Sequence, residues 1–266
     1  MHRPDSSPIG QLLRDWRMRR RRSQLDLALD AGVSTRHLSC VETGRARPSR
    51  ELLLKLFAEL ELPLREQNRL LLAAGLAPQY PERPLHSEGF SAARAAIERL
   101  LEVHEPNPAL AVDPHWNVLL ANRPAQALLA LVSPSLLKPP VNLLRLTLHP
   151  QGLAAHLENL AEWRPLLLDR LRRQAAQSGD PVLADLYAEL RALPTPLAPP
   201  VETASGPLPE LTLPMRLRTP TGVIALIGTV TVFGTPQDLT LSEVAIEALY
   251  PVDPESAARL AALVAG

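Results

Sequence analysis

SQLDLALDAGVSTRHLSCVETGRARPS, residues 23–49, reads as two short helices joined by a tight turn. Ser23 is an N-cap, because its hydroxyl can accept from a backbone N–H of the first helical turn. Leu27, Ala28 and Ala31 form the apolar face of that helix, and Gly32 stops it by supplying a positive φ. Ser34 caps the second helix, which carries Leu38 and Val41 inward and ends at Gly44. Arg47-Pro48-Ser49 then makes a break and a new cap. Working outward, Ile9, Leu12, Leu13 and Trp16 share one face of an upstream helix. Downstream, Leu52, Leu53, Leu56 and Leu60 mark a fourth helix; Pro63 opens a fifth, and Gly75 closes the unit. Five short helices in about 70 residues predict a compact, mainly α domain over 1–76.

Charge points to what such a domain meets. The 266-residue chain is formally neutral, with 28 basic and 28 acidic residues, but residues 1–50 hold 11 Arg against 5 acids. An Arg-rich end on a neutral chain suits a polyanion, and a solvated surface run has the same composition.

The quoted string, with its flanking E-x-G-x-x-x-P-S run from Glu42 to Ser49, resembles the helix-turn-helix domain of the XRE (Cro and lambda-repressor-like) family. The resemblance implies double-stranded DNA as partner. It places Ser34, Thr35, Arg36 and His37 at the N-terminus of the recognition helix, which meets base edges in the major groove. Cys40 lies one turn further along. Arg36 has the donors for a bidentate bond to guanine, and Thr35 can touch a thymine methyl. Gln24 matches a phosphate-contacting position, and Arg21, Arg22, Arg45 and Arg47 are placed to neutralise phosphates. Related repressors often carry Gln where this chain has Thr35, Arg36 and Cys40, so the operator does not carry over. The resemblance also makes Arg17 and Glu42 a partly buried ion pair. Cys40 reads either as a redox-sensitive thiol or as a small side chain.

Residues 77–91, rich in Pro and polar residues, read as a linker, followed by a second domain over 92–266. A helix is expected at 91–103. PALAVD (108–113) and WNVLLAN (116–122) then form a β-hairpin. Helices are expected from Pro124, at 141–149, at 151–176 with Pro165 a potential break, and at 181–192. A loop covers 194–210. Strands at 211–219, 222–233 and 245–251 and a final helix at 254–264 complete an α+β domain. With 28 prolines, about twice the average usage, and aromatics at 3%, Leu and Ala must fill the interior.

PALAVDPHWNVLLANRPAQALLAL (108–131) resembles the opening of PAS-type sensor domains. With the segment from Val141 to Gln174, the arrangement resembles the MmyB-like regulators, which implies a PAS-like domain binding a fatty acid or similar apolar ligand. A carboxylate head needs a cation or paired donors. Arg145 and His149, four apart, are candidates, with Asn122, Asn142 and Trp163. The plainer alternative is that Arg145 pairs with an acid and Trp163 packs. On strand 222–233, Ile224, Leu226 and Thr229 to Val232 are placed to line a pocket, or simply a sheet core.

No G-x-S-x-G elbow, Walker loop or H-E-x-x-H helix is present, and His149 and His156 lack a carboxylate at ligand spacing, so neither an enzyme nor a metal or cofactor site is expected. One cysteine, no apolar leader and no run of ~20 apolar residues point to a cytoplasmic protein with no membrane partner. The expectation is a ligand-responsive DNA-binding regulator, homodimeric because one helix-turn-helix reads only a half-site. The alternative is a regulator whose second domain only dimerises or binds protein.

Overall fold

A computed structural model of the chain describes residues 8–82, 91–194, 213–233 and 238–266, which divide into two compact units. The first contains 8–82 with 238–242; the second contains 91–233 with 243–266.

The first unit holds α1 (Pro8–Arg19), α2 (Gln24–Asp30), α3 (Thr35–Glu42), α4 (Arg50–Glu59) and α5 (Leu64–Ala73). Three serines start three of these helices as the sequence predicts. The Ser23, Ser34 and Ser49 hydroxyls accept from the backbone N–H of Asp26, His37 and Leu52 at 3.1, 3.1 and 3.2 Å. Gly32 sits between α2 and α3 with φ of 66°. Trp16, Phe57, Leu13, Leu27, Leu38, Leu53 and Leu56 fill the core. Gly10 also proves structural, although the sequence reading passed over it. A Cβ there would lie 2.5 Å from the Val41 carbonyl oxygen and 2.7 Å from that of Glu42. Only glycine lets α1 come so close to the end of α3.

The chain beyond residue 76 is still held to this unit. The buried Asn68 side chain accepts from the N–H of Gln79 (2.9 Å) and Tyr80 (3.1 Å) and donates to the Tyr80 carbonyl (2.7 Å). Gln79 and Tyr80, within the segment that the sequence reads as linker, are thus bonded to this unit. The remainder of that linker, 83–90, lies outside the described residues.

The second unit opens with α6 (Ser91–Val103) and a hairpin of β1 (Ala109–Val112) and β2 (Val118–Ala121). There follow α7 (Arg123–Leu129), α8 (Leu143–Leu148), α9 (Leu160–Ser178) and α10 (Pro181–Ala192). The strands β3 (Met215–Thr219), β4 (Gly222–Val232) and β5 (Ala245–Pro251) come next, and α12 (Pro254–Ala265) ends the chain; the short α11 (Leu239–Glu243), which precedes β5 in sequence, belongs to the first unit up to Ser242. The five strands form one antiparallel sheet in the order β2-β1-β5-β4-β3. The core joins Ile224, Leu226 and Leu217 of the sheet to Leu171, Leu186 and Leu190 of the helices. The N-terminal unit is thus all-helical and the C-terminal one α+β.

Two elements differ from the sequence expectation. The helix expected over 151–176 begins only at Leu160, because the chain at 156–158 bonds to β3 instead. The Arg218 N–H donates to the His156 carbonyl at 2.8 Å, and the Glu158 N–H to that of Arg216 at 2.9 Å. Pro165 does not break α9. It is exposed and lies just past the four N–H groups that lack helical partners anyway, so it forfeits one bond, to the Ala161 carbonyl. The strand expected from 211 begins at Met215; Pro214 spends its carbonyl on the Asn159 amide at 2.8 Å. Residues 211–212 and most of the loop expected at 194–210 lie outside the described residues.

Candidate nucleic-acid interface and ligand cavity

The first turn of α3 faces outward. Ser34, Arg36 and His37 are exposed, and Thr35 and Cys40 are half-buried. Ser34 spends its hydroxyl on the cap, which fixes the start of the helix that carries the others. Arg21, Arg36, Arg45 and Arg47 are exposed, and their side chains have no ion-pair or hydrogen-bond partner among the described residues. Unpaired guanidinium groups beside an exposed helix start suit phosphate and base-edge contacts.

Two of the predicted contacts are partly occupied. Arg22 pairs with Asp30. Gln24 donates from Nε2 to Glu42 Oε2 at 2.7 Å, leaving its second amide hydrogen for a phosphate. Glu42 is the hub here. Arg17 grips it with Nε to Oε1 at 2.7 Å and Nη2 to Oε2 at 2.9 Å, and donates from Nη1 to the Arg22 carbonyl at 2.9 Å. The pair the resemblance implied is present and buried, and Glu42 holds the Arg17 pKa above its already high ordinary value. Glu42 therefore ties α1, α2 and α3 together through its bonds to Arg17 and Gln24.

This arrangement sets an expected result. Arg36→Ala should cost about 1–3 kcal/mol on a cognate operator and relax preference at one base position. Arg45→Ala should weaken every sequence alike. Parallel titrations against operator and random duplexes read the difference, and equal losses for both variants on both duplexes would remove Arg36 as a base reader.

In the second unit a cavity of about 160 Å³ lies between the sheet and the helices. Its wall is almost wholly apolar: Leu110, Leu128, Leu144, Leu153, Leu167 and Met215 among others, with Trp116 and Trp163. From the sheet come Gly228, Val230, Glu247 and Leu249, and from α9 comes Arg170. A more polar hollow of about 340 Å³ shares Trp116, Arg170, Val230 and Glu247 with it. Arg170 donates to Glu247 at 2.7 Å and lies 4.4 Å from the Trp116 ring centroid. The ion pair thus marks the boundary between the two spaces.

Of the five sequence candidates for ligand contact, only Trp163 reaches this cavity. Asn122 is buried with its amide fully used, holding the N–H groups of Ala109 and Ala125 and the carbonyls of Leu101 and Asn107. Asn142 caps α8 and donates to the His115 carbonyl at 2.7 Å. Arg145 is taken by Glu189 in two bonds of 2.7 Å, and each partner shifts the other toward its charged form. His149 follows the end of α8, and its Nδ1 accepts from the Gln151 N–H at 3.0 Å. The plainer alternative for Arg145 is therefore the one observed. On β4, Ile224 and Leu226 belong to the core, and Gly228 and Val230 face the cavity. Sequence reasoning missed Arg170 and Glu247, and no group among the described residues could hold a metal ion.

A family model described as the MmyB-like transcription regulator ligand binding domain matches residues 93–263, well over half of the chain. The chain belongs to the MmyB-like transcription regulators. A helix-turn-helix model matches residues 13–67, which contain α2, α3 and their turn. The regulator is accordingly a DNA-binding protein with an XRE-type reading head and a ligand-binding domain, and its family is not one of catalysts. Among solved structures it is similar to the clp gene regulator ClgR from Corynebacterium glutamicum, at 27% identity over 38% of this chain and 93% of that one, with a TM-score of 0.23. No curated protein matches it. Among the described residues no helix is long and apolar enough to cross a membrane.

Proposed function

We propose that this chain is a homodimeric, cytoplasmic transcription regulator whose affinity for its operator is set by an apolar small molecule held in the second unit. The observation that carries the ligand reading is the cavity between sheet and helices, with its nearly unbroken aliphatic and indole wall. Apolar walls of this kind favour apolar occupants, because each buried methylene contributes about 0.8 kcal/mol. At about 160 Å³ the cavity matches the roughly 150 Å³ space known to hold a benzene-sized molecule. The resemblance to the family implies a fatty acid or similar acyl compound. A long chain would continue from the cavity into the adjoining hollow.

In this reading Arg36, Thr35 and His37 read bases while Arg21, Arg45 and Arg47 hold phosphates. Two copies place two α3 helices on a pseudo-palindromic site. The ligand acts through unequal affinity for two arrangements of the dimer, since equal affinity shifts nothing.

Native mass spectrometry of protein purified without added lipid, with thermal denaturation across a panel of acyl compounds, tests the proposal. A retained small molecule, or a rise in melting temperature with added ligand, supports it. A ligand-free spectrum with no thermal shift leaves a second unit that only dimerises.

A further inference from the structure

We propose that the β4–β5 connection couples the cavity to the DNA-reading unit, with the buried Leu239 as its anchor. The inference rests on the cavity being the ligand site and says by which stretch of chain its occupancy reaches the recognition helix.

The first observation is where this connection goes. A tight antiparallel hairpin needs only about two to five residues between its strands. Here residues 233–244 separate β4 from β5. Of these, 238–242 are part of the helical unit, so the chain leaves the second unit after β4 and returns to it for β5. Leu239 is only 1% exposed, and its N–H donates to the Pro81 carbonyl at 3.0 Å, both residues lying in the helical unit. Bonds within α11 hold its shape. Asp238 Oδ1 accepts from the Thr240 N–H at 2.9 Å, and the Ser242 N–H donates to the Asp238 carbonyl at 3.0 Å. A long connection that spends a buried leucine and a backbone bond in the other unit is a built feature rather than slack.

The second observation is what lies at its two ends. Gly228 faces Leu249 and Val230 faces Glu247 across the two strands, and all four line the cavity. Only the pairs Thr231–Ile246 and Val232–Ala245 separate them from the connection. An occupant that repacks this wall moves both strands together, because close-packed interiors transmit strain. At the other end, Pro81 follows Tyr80, which the Asn68 side chain holds. Arg50 donates from Nη1 to the Ala77 carbonyl at 2.7 Å and from Nη2 to the Gln79 side chain. Arg50 is the first residue of α4, just past the loop that carries Arg45 and Arg47. The segment that receives Leu239 is thus tied to the phosphate-facing loop. Because phosphate contacts are blind to sequence, the coupling should appear on any duplex.

The test uses the full-length protein with octanoic acid and random duplex DNA as probes. Calorimetry measures binding of the acid, fluorescence anisotropy measures binding of the duplex with and without it, and amide hydrogen exchange follows Leu239. Saturating octanoic acid is expected to change the parent's affinity for the duplex by about fivefold or more, the lower end of ordinary allosteric coupling. By reciprocity, duplex alone should alter exchange at the Leu239 amide. Leu239→Ala should bring the effect of the acid below about twofold while each probe alone binds as it does to the parent. Leu239→Met, which nearly conserves volume, should keep the full effect. An alanine variant that loses affinity for the duplex alone hands the decision to the exchange response of the parent. A full effect in Leu239→Ala, an acid that binds without changing duplex affinity, or a Leu239 amide indifferent to duplex overturns the inference and leaves the ligand site standing. Octanoic acid that does not bind the parent at all overturns the cavity reading, and this inference with it.

Discussion

Arg17→Ala is expected to destabilise the helical unit by about 3–5 kcal/mol, the range for stranding one partner of a buried ion pair. The site explains the size. The Glu42 carboxylate is 1% exposed and takes two bonds from Arg17 and one from Gln24. Without Arg17, a buried charge remains with one neutral donor. Glu42→Ala should cost less, because Arg17 is more exposed at 8% and keeps its bond to the Arg22 carbonyl. Replacing both with apolar residues of similar volume, Arg17→Met with Glu42→Leu, should recover much of the loss, since well-packed apolar pairs often match buried ionic ones. Urea denaturation followed by circular dichroism measures the double-mutant cycle. A double variant whose cost equals the sum of the singles would show that the two side chains do not act as a pair.

The same residues show why the helical unit was so readable from sequence. Its signals are local: a serine cap three residues from the N–H it serves, a glycine at the one turn that needs positive φ, apolar residues at helical spacing. Gly10 was not legible, because its role comes from carbonyls at Val41 and Glu42, more than thirty residues away. The hairpin turn was legible for the local reason again. Asp113 accepts at 2.8 Å from the N–H groups of both His115 and Asn117, and Trp116 takes a φ of 68°.

The cavity was legible as an apolar space and illegible as a set of contacts. Arg145 and His149 sit four apart, which would share a face on a continuing helix. Yet α8 has only six residues and ends at Leu148, so His149 leaves the helical path, and Glu189 claims Arg145 from 44 positions away. Arg170 lies in the run DRLRRQ, which reads as a solvated helix face, and Glu247 is the lone acid of a strand, which reads as its outward side. Only the fold of α9 over the sheet brings the two together beside Trp116. The one available signal was that AIEALYP places its acid among apolar residues in a sheet with helices to cover it.

Ala125→Leu is expected to close the ligand site without touching the DNA-reading surface. Ala125 is 3% exposed, lies in the first turn of α7, and borders the cavity. Its backbone N–H is already held by the Asn122 cap at 3.1 Å, so the substitution changes the side chain and not the helix start. Leucine adds three carbons to a space of about 160 Å³, displacing about as many ligand carbons. At about 0.8 kcal/mol per methylene the loss is about 2.4 kcal/mol, or roughly fiftyfold in affinity. The ligand-free protein should keep its stability to within about 1–3 kcal/mol, the cost of overpacking if the new side chain fits imperfectly. Its affinity for DNA without ligand should be unchanged, because α3 and its arginines belong to the other unit. Operator titrations with and without ligand separate the two effects: the variant should bind DNA like the parent and ignore ligand at concentrations that shift the parent. Parental ligand affinity in a correctly folded Ala125→Leu protein would place the ligand somewhere other than this cavity.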